Sequence, residues 1–275
     1  RFKCDWSSDV CSSDLGVHNV RWRTLEVPLA KDELTKNAAA MAALDALDEE
    51  LEAKQMAAAK PVPHNFELVP VPAEMSNIPA GFTPIFNGKD LAGWHISKTN
   101  HHGTTPDWRV ENGVLTGGQN PPGKGGILLT DRKYRNVEVY AEVMPDWGCD
   151  GGLFLRSTEK GEAYQVLLDF REKGTLFGVY GERLKDVVTY NVENWRDYWK
   201  ENQWNAVRAR IEGDIPRITV WVNGKLTTSW SDTSNHAAGG ALDGMIAVQV
   251  HGGNQIWKEG GKHRFRNIAV RELPN

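Results

Sequence analysis

The sequence has few cysteines, no long apolar runs and no strong excess of either charge, and each shortage excludes a class of protein. Only three of its 275 residues are cysteine. No apolar run is long enough to cross a membrane. The formal net charge is -4, and the basic residues are dispersed among similar numbers of acids, so nothing favours nucleic acid as a partner. The length allows one large domain or two small ones.

Residues 1–15 resemble the translation of a sequencing-library adapter rather than a segment of a protein. They have neither the apolar region of a signal peptide nor a helical period, so we exclude them as an artefact. With Cys4 and Cys11 excluded, Cys149 stands alone and no intrachain disulfide is expected. The natural N-terminus and any signal peptide are then expected to lie outside the sequence. Without a partner for nucleophilic chemistry, Cys149 is expected to be a small buried residue.

Two segments precede the main domain. The sequence of residues 16–30 predicts an approximate strand similar to residues 263–274, since both segments are basic and end in Glu, an apolar residue and Pro. They are either the last strand of a tandem domain of the same type upstream or a chance similarity. Residues 31–80 predict a linker, with a helix to about Lys60 and then a Pro-rich extended connection. The apolar face of this predicted helix would consist of Leu34, Met41, Leu44, Leu47 and Leu51.

Residues 81–275 predict an all-β domain. Short alternating runs are separated by Gly, Asn, Asp and Pro, and no sustained helical period occurs. Asn112-Gly113 and Asn223-Gly224 are strong signals for tight hairpin turns. This pattern favours a sandwich of two antiparallel sheets. The predicted strands are a hairpin at 108–116 and runs at 126–130, 137–144, 152–156, 164–169, 176–180, 203–212, 217–222, 246–251 and 265–270.

Period-two alternation sorts the side chains of two regions onto a core face and a polar face. In the hairpin at 151–169, Leu153 and Leu155 of the first strand and Tyr164, Val166 and Leu168 of the second form the apolar row. In 245–251 the apolar row is Ile246, Val248 and Val250. If both regions share one sheet, their polar residues converge on one patch, which is the candidate active site. These residues are Arg156, Gln165, Asp169, Gln249 and His251.

An ordered set of motifs between residues 81 and 273 resembles the 3-keto-disaccharide hydrolase family. The motifs are FNGKDLAGW at 86–94, WRVENGVL at 108–115, GGLFLR at 151–156, YQVLLD at 164–169, WN at 204–205, VNG at 222–224, QVHG at 249–252 and FRNI at 265–268. The sequence differs from many relatives at Gln165, where they carry Glu, and in its extended loop at 98–103. The resemblance implies a concanavalin-like jelly roll, preceded here by the linker helix.

The resemblance also implies a substrate and a location. The substrate would be a 3-keto-glycoside, a sugar whose C3 hydroxyl has been oxidised to a ketone. The ketone acidifies the C2 hydrogen, so a base can form an enolate that expels the C1 substituent, after which water adds. Such a site needs a base near C2, a cationic group or metal at the enolate oxygen, and a proton source. The family also implies a periplasmic or secreted protein.

The polar patch offers three catalytic candidates. His251 suits proton abstraction near neutral pH, and the alternative is a surface histidine at a strand end. Arg156 would hold the keto or enolate oxygen, and the alternative is a salt bridge with Asp169 or Glu142. Asp169 is expected to bind sugar hydroxyls, orient His251 or ligate a metal.

Five residues are candidates for substrate binding. The amides of Gln165 and Gln249 suit recognition of hydroxyl groups rather than proton transfer. Lys124 lies in a Gly-rich loop at the edge of the predicted cleft, which resembles a phosphate loop only superficially because the following Ser/Thr and helix are absent. Trp147 is a candidate for stacking on a sugar ring, and Asp150 borders the hairpin.

His101 and His102 are the candidate metal ligands. Adjacent histidines in an extended loop point in opposite directions, so at most one is expected to enter the site. With His251 and either Asp150 or Asp169 it would give the mixed nitrogen and oxygen site that divalent transition metals occupy. The spacing is not diagnostic, and the alternative is a pair of solvated loop histidines.

Two other functions remain open. A non-catalytic carbohydrate-binding module would use the same fold, with tryptophans such as Trp147 or Trp195 stacking on sugar and no base. A retaining glucanase would carry clustered carboxylates at alternating strand positions, which the predicted cleft strands lack.

Overall fold

The computed structural model describes residues 78–105 and 107–274. The segment at 1–15, the strand predicted at 16–30 and the predicted linker helix lie outside these residues. Within the described residues, no helix has the length and apolar character that a membrane span requires.

The described residues form two antiparallel sheets, which confirms the predicted all-β jelly-roll sandwich. Helix is limited there to two short 3-10 segments, Trp195–Asp197 and Ala238–Gly240. The strands are β1 (Thr83–Pro84), β2 (Trp94–Ile96), β3 (Trp108–Glu111), β4 (Val114–Gly117), β5 (Gly126–Tyr134), β6 (Val137–Val143), β7 (Gly152–Ser157), β8 (Ala163–Leu168), β9 (Leu176–Glu182), β10 (Asn205–Glu212), β11 (Arg217–Val222), β12 (Lys225–Ser231), β13 (Gly244–Val250) and β14 (His263–Glu272).

The strand order places the two regions of interest side by side. One sheet has the order β12-β11-β10-β6-β14-β4-β3, with β1 also pairing with β14. The other has the order β2-β5-β13-β7-β8-β9. The 151–169 hairpin and the 245–251 strand therefore share the six-stranded sheet, as predicted.

The inner face of the six-stranded sheet packs into the main hydrophobic core. The apolar rows predicted for β7, β8 and β13 are all buried there, together with residues of the eight-stranded sheet such as Val139, Val207 and Phe265. Burying each such side chain stabilises the fold by about 1.5–3 kcal/mol. The outer face has its own small buried cluster beneath the surface loops, formed by Ile127, Leu129, Phe154, Ala163, Met245 and Ala247.

The predicted turns are present. Asn112 (φ 52°) and Gly113 (φ 79°) join β3 to β4, and Asn223 (φ 49°) and Gly224 (φ 82°) join β11 to β12. Positive φ at both central residues is what a two-residue hairpin of the primed type requires. Three strands were not predicted: β1 and β2 have only two and three residues, and β12 is a polar edge strand.

The placement of Arg156 corrects the prediction that it joins the polar patch. Ala247 pairs with Phe154 but Met245 pairs with Ser157, so β7 has one extra residue, a β-bulge. Arg156, with φ 52°, is the extra residue at this bulge. Its side chain therefore does not point to the same face of the sheet as that of Phe154. Its Nη2 donates to the Gly213 carbonyl at 2.7 Å. The alternative of a salt bridge with Asp169 or Glu142 was also wrong, since these carboxylates pair with Arg171 and Arg266.

Candidate active site

A bridge of two glutamines crosses the outer face of the six-stranded sheet. The Nε2 of Gln165 on β8 donates to the Gly151 carbonyl at 3.1 Å and to the Oε1 of Gln249 on β13 at 3.0 Å. Between these strands lies β7, where Gly152 has no side chain. A Cβ at Gly152 would lie 2.4 Å from the Gln165 Nε2, so the bridge depends on this glycine. The structure thus joins two residues that the sequence placed on one face.

We expect Gly152→Ala to lower the free energy of unfolding by about 2 kcal/mol, because the added methyl displaces Gln165 and breaks two buried hydrogen bonds worth about 1 kcal/mol each. Urea unfolding monitored by tryptophan fluorescence measures the change. The control is the same substitution in a Gln165→Ala background, where the clash is absent and we expect no further loss. An equal loss in both backgrounds would contradict the bridge as its cause.

The glutamine bridge fixes the protonation state of His102. Since Gln249 accepts from Gln165 through Oε1, its Nε2 is left to donate to the Nε2 of His102, 2.7 Å away. The Gly252 N–H also faces this ring, 3.5 Å from the His102 Nδ1, but the contact at Nε2 is much shorter, so we assign the lone pair to Nε2 and the proton to Nδ1. Burial, reinforced by the nearby His251, lowers the pKa of His102 to about 3, so the ring is neutral.

His101 and His102 both face the same carboxylate, which corrects the prediction that at most one of them enters the site. The Oε1 of Glu182 lies 3.0 Å from the His101 Nε2 and 3.6 Å from the His102 Nε2. The loop turns rather than extends here, because the Asn100 Oδ1 accepts a hydrogen bond from the His102 backbone N–H at 3.0 Å. The two rings lie 3.8 Å apart between centroids.

Glu182 is a site residue that the sequence reasoning missed. It is the last residue of β9, opposite Ala163 of β8, and its side chain is only 8% exposed. Burial alone would raise the pKa of Glu182, but the contact with His101 outweighs it and holds the pKa well below the usual range. Period-two alternation was the available signal: Tyr180 pairs with Gln165, and Glu182 lies two residues further along β9.

His251 lies directly after β13 with one ring nitrogen available. Its Nδ1 lies 2.6 Å from the Gly252 carbonyl oxygen, which can only accept, so Nδ1 carries the proton and Nε2 the lone pair. The ring packs edge-on against His102, with centroids 4.5 Å apart. The His251 backbone is fixed by the side chain of Gln119, whose Nε2 donates to the His251 carbonyl at 2.7 Å. We call His101, His102, Glu182, Gln249 and His251 the histidine cluster.

Asp150 and Asp169 share Arg171, which the sequence reasoning also missed. Arg171 pairs with Asp169 through Nε and with the Oδ2 of Asp150 through Nη2 at 3.1 Å. The Asp150 carbonyl accepts from the His251 backbone N–H at 3.2 Å, so this ion-pair group borders the histidine cluster. Asp169 was predicted to orient His251, bind hydroxyls or ligate a metal. The described contact of its carboxylate is with Arg171, and its role toward substrate stays a prediction.

The remaining predicted residues lie at the margins. Lys124 is exposed in a turn whose backbone packs against residues 250–252, because a Cβ at Gly125 would lie 2.1 Å from the Val250 carbonyl oxygen. Trp147 is half-buried and packs edge-on against Phe170 at 4.9 Å between centroids. Trp195 is only 3% exposed, which leaves no open face for a sugar.

This arrangement combines three chemical capabilities. In the neutral ring of His251 the proton lies on Nδ1, so Nε2 is the nitrogen that can accept a proton. His101, His102 and Glu182 offer two imidazole nitrogens and a carboxylate oxygen within 4.8 Å of one another, a donor set that a metal can use. The Arg171 group supplies charged side chains of the kind that bind hydroxyls and carbonyls, whereas Gln165 and Gln249 are 3% and 0% exposed and use their amide groups on each other, on Gly151 and on His102.

Comparisons with known proteins agree with a carbohydrate-active site. Residues 81–271 match the model of the family described as the 3-keto-alpha-glucoside-1,2-lyase-like domain. A 3-keto-disaccharide hydrolase of Bacteroides thetaiotaomicron is 22% identical over 246 residues, covering 70% of this chain and 79% of that protein. Two crystal structures of candidate glycosyl hydrolases from Parabacteroides distasonis share the fold. Their TM-scores are 0.50 and 0.51, at 19% and 20% identity over 70% of this chain and 94% and 99% of theirs.

Proposed function

The chain belongs to the 3-keto-alpha-glucoside-1,2-lyase-like domain family, and from this premise we propose that it cleaves the glycosidic bond of 3-keto-glycosides, including 3-keto-disaccharides. The name of the Bacteroides thetaiotaomicron relative supports the same substrate class. The observation that carries the proposal is His251, whose Nδ1–H is held by the Gly252 carbonyl so that Nε2 is left as a base. A periplasmic or secreted location is proposed on the family likeness.

The proposed reaction begins with proton transfer. The Nε2 of His251 removes the hydrogen from C2, and the electrons of that bond form an enolate with the C3 ketone. The ketone then re-forms as the C1–O bond breaks, and the leaving oxygen takes a proton. His251, which is now protonated, donates this proton to the leaving oxygen. Water adds at C1 and a proton at C2, so the net result is hydrolysis, while release before hydration would make the net reaction an elimination.

The other residues are assigned to binding or positioning. Arg171 with its two aspartates borders the base and is assigned to the sugar hydroxyls, whereas Gln165 and Gln249 are 3% and 0% exposed and are assigned to holding His102 in place. Lys124 and Trp147 are proposed to line the edge of the bound sugar. Arg156 is left out of this assignment because its guanidinium bonds to the Gly213 carbonyl.

The test is to incubate the chain with a 3-keto-glucoside and with the unoxidised glucoside in deuterated water. We expect cleavage of the keto substrate alone, with deuterium at C2 of the product, because only the ketone acidifies that position. Cleavage of both substrates without deuterium would overturn the elimination route and favour an ordinary glycosidase. Binding of both without cleavage would overturn the enzyme and leave a carbohydrate-binding module.

A further inference from the structure

We propose that His101, His102 and Glu182 bind one divalent transition metal ion through His101 Nε2, His102 Nε2 and Glu182 Oε1. The part of this inference that concerns binding stands on geometry alone. The part that gives the ion a role in catalysis rests on the proposed function.

The distances from the Glu182 oxygen to the two imidazole nitrogens fit a single ion, and the three donor atoms all lie within 4.8 Å of one another. Ligands bound at about 2.0–2.2 Å from a metal lie roughly 2.8–3.6 Å apart when they meet at angles between octahedral and tetrahedral values. The Glu182 Oε1 is 3.0 Å from one imidazole nitrogen and 3.6 Å from the other. Two imidazoles and one carboxylate are a donor set of the sort that zinc, manganese, iron and cobalt occupy.

The backbone holds the two histidines in place. The Asn100 side chain accepts from the His102 N–H at 3.0 Å and donates to the Ser97 carbonyl at 3.3 Å. Ser97 in turn donates its hydroxyl to the Glu159 carbonyl at 2.6 Å. The loop is thereby tied to the turn between β7 and β8, while Glu182 comes from β9. Two chain segments thus present the ligands, and a third, the turn between β7 and β8, holds one of them in place, so little ordering is left for binding to require.

The buried charge of Glu182 has a donor on one side only, the His101 Nε2 at 3.0 Å. Among the ion pairs of the described residues, those of Glu182 are with His101 and His102. His102 accepts a hydrogen bond from Gln249 at its Nε2, so that nitrogen brings no proton to the carboxylate. A buried carboxylate is costly without a compensating charge, and a divalent cation between these atoms supplies one.

Gln249 would compete with the ion rather than ligate it. Its Nε2 lies 2.7 Å from the His102 Nε2 and uses the lone pair that a metal would need. Binding of the ion therefore requires this hydrogen bond to be given up. Removal of the Gln249 amide should favour the ion, whereas removal of Glu182 should disfavour it. The proposal can therefore be tested with two variants that should change the metal affinity in opposite directions.

The position of the ion gives it a role in the proposed reaction. His102 lies against His251, so an ion bound to His102 is next to the proposed base. There it would act as a Lewis acid toward the C3 oxygen, where negative charge develops once C2 loses its proton.

The experiment is a Co2+ titration of the whole chain after EDTA treatment, followed by visible absorption and calorimetry. We expect one equivalent of Co2+ to bind the wild-type chain. In Glu182→Gln and His102→Gln we expect the affinity to fall by more than the roughly 10- to 100-fold that loss of an outer partner costs. The matched control is His95→Gln, because Asp131 and Glu159 contact opposite nitrogens of that ring and cannot converge on one ion.

A second variant keeps the test independent of folding defects. Gln249→Ala should bind Co2+ at least as tightly as the wild type. Three outcomes would each overturn the site. The wild type does not bind Co2+, the Glu182→Gln and His95→Gln variants bind Co2+ equally well, or the affinity falls as much in Gln249→Ala as in Glu182→Gln. Activity is read separately: a chain that binds Co2+ but leaves 3-keto-glucosides intact keeps the site and loses the proposed function. A chain that binds no Co2+ but cleaves 3-keto-glucosides in the presence of a chelator keeps the proposed function and loses the metal site.

Discussion

His251→Ala should lower kcat for cleavage of a 3-keto-glucoside by about 10²- to 10⁴-fold, the range expected when a general base is removed. The Nδ1–H of this histidine is fixed on the Gly252 carbonyl, so the variant loses the one nitrogen that is positioned to accept the C2 proton. KM should change much less, because the Arg171 group that is assigned to the sugar remains. Initial rates against substrate concentration give both parameters.

Rescue by imidazole separates a base from a structural residue. The alanine variant leaves space for an external imidazole, which should restore part of kcat and of deuterium incorporation at C2. His236→Gln is the control, because His236 contacts Asp232 and Ser234 in the segment before β13, at the opposite end of that strand from His251. Activity within threefold of wild type in His251→Ala would contradict the assignment, as would a loss that imidazole leaves unchanged.

The sequence predicted the scaffold of the site well because alternation is a local property. Leu153 and Leu155 of β7 lie in the core and Phe154 lies outside it, as the period of two requires. The same rule brought Gln165 and Gln249 to one face, and they are in contact. The tight turns were readable because Asn-Gly is one of the few pairs that tolerate positive φ at both positions.

Arg156 shows where this rule stops. One inserted residue shifts every later side chain of a strand to the other face, and nothing in Leu-Arg-Ser distinguishes a bulge from a regular strand. The bulge depends on a distant position: a Cβ at Gly244 would lie 2.4 Å from the Arg156 carbonyl carbon. Sequence reasoning on one strand has no access to such a contact.

The histidine cluster was only half predictable for a related reason. His101 and His102 were expected to diverge, because neighbouring residues of an extended segment do so. Asn100 instead closes a turn, and both rings reach Glu182. Asparagine before a histidine pair is a turn signal, but its partner, the backbone N–H two residues on, is known only from the fold. Glu182 was one alternation step beyond the predicted end of its strand.

Glu138→Ala should lower the free energy of unfolding by about 3 kcal/mol, because removing one partner of a buried ionic group leaves the others uncompensated. The Glu138 side chain on β6 is 0% exposed. Its oxygens lie 2.9 Å from Arg208, 2.8 Å from Arg210 and 3.0 Å from Arg271. The three guanidinium groups are 29–38% exposed, so water relieves part of their repulsion and keeps the loss at the lower end for such groups.

The effect should be large because of where Glu138 lies in the eight-stranded sheet. It pairs with Arg210 on β10 at one side and Arg271 on β14 at the other, so one carboxylate joins three adjacent strands. Urea unfolding measures the loss. The control is Glu272→Ala, which breaks an exposed pair with Arg132 and should cost less than about 1 kcal/mol. Equal losses in the two variants would mean that the burial of Glu138 adds nothing to its ion pairs, and that strand pairing alone holds β6 between β10 and β14.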